Sequence, residues 1–117
     1  MRSVAGRWNI PPEMAKRVIA RDRACVYCGC AMIRIAKPGQ SRRLVATWEH
    51  IDNDVGNVCD ENICLCCMSC NSSKGARSLS EWFARDYCRK KNINAQTVAD
   101  VVRRYLAAQM APARHGA

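Results

Sequence analysis

A chain of 117 residues suffices for one small domain and is short enough for an internal staple to add usefully to its core. No run is long and apolar enough to cross a bilayer, and the opening segment, residues 1–9, is basic and polar rather than a secretory signal. The net charge of +9 is laid out unevenly: residues 1–43 carry ten Lys/Arg against two acids, residues 44–71 carry five acids and no Lys or Arg, and residues 72–117 carry nine Lys/Arg against three acids. An acidic centre between basic flanks suits a cation site inside a polyanion-binding surface. Nine cysteines, an odd number without a secretory signal, read as the thiols of a cytoplasmic protein, where pairs are metal ligands before they are disulfides.

In chain order, Pro11-Pro12-Glu13 predicts a helix start, because proline in the first turn gives up an N–H that had no partner there. Met14, Ala15, Val18 and Ile19 supply its apolar side, and Arg17, Arg21 and Arg23 make it basic. It leads into Cys25-x-x-Cys28-Gly29, where the glycine permits the turn around a metal. Residues 32–36 and 44–48 predict a β-hairpin whose tip contains Pro38-Gly39 and the basic pair Arg42-Arg43. A polar loop over residues 52–60 follows, then a helix over about residues 63–73, in which Cys67, Cys70, Asn71 and Lys74 would share a face. Ser78-Leu79-Ser80-Glu81 is a capping-box pattern opening a helix with Leu79, Trp82, Phe83 and Tyr87. A last helix carries Val98, Val101, Val102, Tyr105 and Leu106, and the tail over residues 110–117 reads as disordered.

Two Cys-x-x-Cys pairs about forty residues apart, Cys25/Cys28 and Cys67/Cys70, are the raw material of a four-thiolate zinc site. Cys64 with Cys67 is a formal alternative pair, and Cys30, Cys59, Cys64, Cys66 and Cys88 otherwise read as core thiols. Glu49 and Asn71 offer hard oxygen ligands suited to Mg²⁺ or Mn²⁺, and His50 beside them can take a proton from water near neutral pH. Neighbours on a regular strand point to opposite faces, so Glu49 and His50 serve one site only if the strand is irregular there or the scissile phosphate lies between them.

Glu49-His50-Ile51, then Asn62, then Cys67-x-x-Cys70-Asn71-x-x-Lys74-Gly75, with Cys25-x-x-Cys28 upstream, resembles the HNH endonucleases of the ββα-metal (His-Me finger) class over about residues 21–82. The resemblance implies an α+β fold: a small ββα-metal core with a four-cysteine zinc site, a basic N-terminal helix and two C-terminal helices. It implies one domain, residues 1–117, with a helical extension over about residues 78–109. It implies a metal-dependent DNA endonuclease, with His50 as general base and Glu49 and Asn71 holding the catalytic Mg²⁺ or Mn²⁺. Asn62 would orient the histidine, Cys25, Cys28, Cys67 and Cys70 would hold structural Zn²⁺, and Arg42, Arg43, Lys74 and Arg77 would meet nucleic acid. The expected partner is double-stranded DNA, with a homodimer left open and no membrane, in a bacterial or phage-infected cytoplasm serving phage, mobile element or restriction. The alternatives are a zinc-dependent nucleic-acid-binding module without catalysis, and an RNA-cleaving nuclease or toxin.

Overall fold

The computed structural model describes residues 9–110 and shows an α+β fold of five α-helices and one two-stranded antiparallel sheet. Helix α1, Pro12–Arg21, starts where the prolines predict and buries Ala15 and Val18. Strand β1, Ala46–His50, pairs with β2, Ile63–Cys67, in a register that sets Glu49 opposite Cys64 and His50 opposite Ile63. Helix α2, Met68–Lys74, follows β2 directly. Helices α3, Leu79–Phe83, α4, Asp86–Lys91, and α5, Asp100–Met110, complete the described residues.

Three expectations are corrected here. The predicted helix over residues 63–73 is a strand followed by a helix. Its first half, Ile-Cys-Leu-Cys-Cys, is buried on every side, and an apolar run of that length has no periodicity to tell strand from helix. The predicted hairpin does not form either: β1 takes β2 as its partner, and residues 32–36 contribute only a bridge between Ile33 and Val45. The basic tip survives as a short 3₁₀ turn, Arg42–Leu44, capped by the Ser41 side chain, which accepts from the Arg43 N–H. The two C-terminal helices are three, because the chain breaks at residues 84–85. In an unbroken helix Trp82 and Tyr87 would lie about 140° apart around the axis; the break lets their rings stack with centroids 6.0 Å apart. The Ser78–Glu81 capping box is formed as expected. Of the expected tail, Met110 ends α5 and residues 111–117 lie outside the described residues.

The sheet has two different faces. Trp48, Ile63 and Leu65 pack with Ile10, Ala15 and Val18 on the side of α1. Cys64 and Cys66 face the other way, into a cluster with Tyr27, Ile51, Leu79, Trp82, Val98 and Val102. The edge of β2 away from β1 is closed by the end of α1 and the segment after it. The Leu65 N–H donates to Asp22 Oδ2 at 3.0 Å, Val26 N–H donates to Leu65 O at 3.2 Å, and Arg21 Nη2 donates to Ile63 O at 2.7 Å. Ala99 N–H to Val26 O, at 2.8 Å, then ties the C-terminal segment to the cysteine knuckle.

Candidate functional site

The four cysteines singled out by spacing come together. The sulfurs of Cys25, Cys28, Cys67 and Cys70 all lie within 4.8 Å of one another, a set that can hold a metal ion such as Zn²⁺. Two matching turns prepare it: Cys28 N–H donates to Cys25 Sγ and Cys70 N–H donates to Cys67 Sγ, each at 3.4 Å. Gly29, at φ +78°, turns the first pair back, and Cys67 caps α2 to place the second. The Tyr87 hydroxyl donates to Cys70 Sγ at 3.3 Å, a contact from outside the ligand set that steadies a thiolate. Hydrogen bonding with Cys67 and Cys70 holds the Cys25 thiol well below its usual range, while the same sharing pushes Cys70 up. A four-sulfur donor set at this separation fits tetrahedral zinc. Of the remaining cysteines, Cys64, Cys66 and Cys88 are buried in the core, and Cys30 and Cys59 are half-buried.

The other site residues divide between the two faces of β1. Thr47 and Glu49 face α2; His50 faces the opposite side with Trp48 and Ile63, as alternation on a regular strand requires. Asn71 lies against Thr47 and Trp48: its Nδ2 donates to Thr47 Oγ1 at 2.9 Å and to Trp48 O at 3.3 Å, leaving Oδ1 as the atom it can offer a ligand.

Two expectations fail at Lys74 and Glu49. The motif sends Lys74 to meet phosphate, yet it is 0 % exposed. Its Nζ lies 2.9 Å from Glu49 Oε2 and donates to Asn53 Oδ1 at 2.6 Å. The reason is periodicity: Asn71 and Lys74 are one turn apart on the α2 face that packs on β1, so the lysine points inward. Glu49, 6 % exposed, therefore already has a cation, and the Tyr27 hydroxyl donates to the same Oε2 at 3.0 Å. Burial pushes the Glu49 carboxyl up despite both partners, and pushes the Tyr27 phenol far up, so Tyr27 stays a neutral donor. The arrangement gives no support to a Mg²⁺ or Mn²⁺ ion held by Glu49 and Asn71, because Glu49 Oε2 is already taken by Lys74 and Tyr27. Tyr27 and Asn53 are site residues that the sequence alone does not reveal. The only signals are a tyrosine inside the first Cys-x-x-Cys and an asparagine in the loop, which takes φ +65°.

His50 is 3 % exposed at the end of β1. Burial lowers its pKa from the ordinary 6.5, and Asp52 and Asp54 offset that only in part, so the imidazole is neutral near pH 7. The loop that leaves it is clasped by Asn62. Asn62 Oδ1 accepts from Asp52 N–H at 3.0 Å, and its Nδ2 donates to Asp52 Oδ1 and Asn57 O, each at 2.9 Å. Against the upward push of burial, hydrogen bonds from Asn57, the Asp54 N–H and Asn62 hold Asp52 below the usual carboxylate value.

The basic residues are placed as follows. Arg42 and Arg43 are exposed on the 3₁₀ turn that packs on α2, and Arg77 is half-buried just past the end of α2, with Nη1 donating to Ser73 O at 3.0 Å. Among the described residues no helix is long and apolar enough to cross a membrane. The chain matches no protein-family model, no curated protein and no solved structure.

Proposed function

We propose that this chain is an endonuclease hydrolysing phosphodiester bonds in DNA, built on a zinc-stapled ββα unit of the His-Me finger kind. The observation that carries the reading is the unit β1–clasped loop–β2–α2. It puts a neutral histidine at the end of β1, holds the next segment through the buried Asn62, and braces the β2–α2 junction with the four-cysteine cluster. Cys25, Cys28, Cys67 and Cys70 would hold zinc, which would supply structure by joining the knuckle after α1 to that junction. In the reaction, His50 accepts the proton of the attacking water as its oxygen bonds to phosphorus and one P–O ester bond breaks, the leaving alkoxide taking a proton from solvent; neutrality near pH 7 is what a base needs. Asn62 is a positioning residue, acting through the loop. The exposed Arg42 and Arg43 and the half-buried Arg77 draw the polyanion.

A second reading is a zinc-dependent nucleic-acid-binding module without catalysis. The specific observation favouring it is the Glu49–Lys74 pair, which occupies the carboxylate that a catalytic ion would use. One experiment separates the two. Zinc-loaded protein is incubated with supercoiled plasmid, with Mg²⁺, with Mn²⁺ and with neither, alongside His50→Ala. The nuclease reading expects nicking or linearisation by the parent chain and a loss of about 10²–10⁴-fold in His50→Ala, at unchanged zinc content and DNA affinity. DNA binding without cleavage under every condition refutes it in favour of the binding module; cleavage of RNA alone refutes the choice of DNA.

A further inference from the structure

Beyond the expected contacts, an open groove of about 470 Å³ lies between the end of α2 and the α3–α4 turn, lined by Ser73, Arg77, Ala84, Arg85, Asp86 and Tyr87. We infer that this groove is a subsite for a backbone phosphate of duplex DNA, with Arg77 and Arg85 as its two cationic contacts. The inference rests on the DNA reading above and adds to it the helical segment after residue 82, which the motif does not reach.

Three observations support it. Neither Arg77 nor Arg85 forms a salt bridge among the described residues, and the carboxylate that both attract, Glu81, is held first by its Ser78 hydrogen bonds. The groove between α1 and α5 is the instructive contrast, because its Arg21 and Arg104 are already paired with Asp22 and Asp100. Next, the groove is shaped in advance. Arg77 is braced by Ser73 O, and Ser73 Oγ accepts from Trp82 Nε1 at 2.9 Å. The Tyr87 wall is fixed by its hydroxyl contact with Ser69 at 2.8 Å and carries Lys91 Nζ 5.2 Å from its ring centroid, adding a third cation at the rim. Asp86 is the acid in the lining, and nearby Glu81 is engaged by the Ser78 cap, so residues 77–91 keep five cations against two acids. Last, the groove adjoins the loop that leaves His50: Asn53 Nδ2 donates to Ala76 O at 3.2 Å and to Arg77 O at 3.0 Å. A phosphate seated here would belong to the stretch of backbone presented to that loop. Openness suits a polymer passing through, where an enclosed pocket would suit a small anion.

The test is fluorescence anisotropy of the full zinc-loaded chain with a short labelled DNA duplex over a range of salt. Each phosphate contact contributes about 0.9 to the slope of log K against log salt. Arg85→Gln should lower the magnitude of the slope by about 0.9, and Arg77→Gln with Arg85→Gln by about 1.8. Arg77→Lys keeps the charge and should keep the slope, which separates the phosphate contact from the brace on Ser73. Arg104→Gln on α5 removes the same charge elsewhere and should leave the slope at the parent value. A parent-like slope in Arg85→Gln, or an equal loss in Arg104→Gln, overturns the groove and leaves the DNA reading standing. No DNA binding by the parent chain overturns both.

Discussion

The Glu49–Lys74 pair invites a measurement that decides what the lysine is for. Both side chains are withdrawn from water, at 8 % and 0 % exposure, and their charged atoms are 2.9 Å apart. Lys74→Met removes the ammonium and leaves a buried carboxyl with only the Tyr27 hydroxyl and the His50 backbone as hydrogen-bond partners. Breaking a buried pair from one side costs about 3–5 kcal/mol, a fall in Tm on the order of 15 °C for a domain of this size. Adding Glu49→Gln removes the stranded charge, and the double variant should regain most of that loss, because two neutral side chains escape the desolvation cost of the ions. The pH dependence follows. Burial already raises the Glu49 pKa in the folded chain, so ionising it costs stability as pH rises from the ordinary carboxylate value through the raised one. Without Lys74, which pulls that pKa down, the rise is larger, and Lys74→Met should lose more Tm than the parent between pH 5 and pH 8. Thermal melts at matched zinc content read both effects. A loss under about 1 kcal/mol in Lys74→Met, or no recovery in the double variant, would refute a structural ion pair.

The remaining expectations are simpler to read. Cys67→Ser should abolish stoichiometric zinc and most of the folded fraction, since metal binding here is largely folding free energy, while Cys59→Ala should keep both; elemental analysis with circular dichroism checks this. Asn62→Ala removes three hydrogen bonds from a buried amide and should cost about 2–3 kcal/mol, with faster amide exchange concentrated in residues 51–62. His50 should titrate below 6.5 by nuclear magnetic resonance. Because the unfolded chain then binds the proton more readily, the histidine's contribution to stability falls as pH drops through the ordinary imidazole value, and any cleavage should hold its rate to below that pH.

Local chemistry is legible in the sequence; pairing at a distance is not. Proline at the start of α1, the Ser78 cap and the glycine after the first knuckle each act within a few residues, so both ends of the interaction stand together in the sequence, whereas the Asn62 clasp reaches back ten residues to Asp52 and is suggested only by the resemblance. The cysteine set is legible because ligand spacing repeats. The β1–β2 partnership depends on a register fixed by burial on two faces, and nothing near residues 44–48 announces that their partner is 63–67 rather than 32–36. The position of Lys74 is lost with it. With residues 63–73 read as one helix, its face is free to meet phosphate; once β2 and α2 are separate, the same face is pressed against Glu49.

Arg21 and Asp22, at the end of α1, have a consequence for how the chain behaves in a crowded solution. β2 is a short uncharged segment of the kind that stacks with copies of itself when its outer edge is open. Here that edge is filled by a carboxylate on the Leu65 N–H, a guanidinium on the Ile63 carbonyl and the Val26 N–H on the Leu65 carbonyl. The end of α1 thus works as a guard against self-association. Chains lacking it, or carrying Asp22→Ala, are expected to precipitate by intermolecular strand pairing, even with the zinc cluster, the loop clasp and the basic surface left intact in sequence.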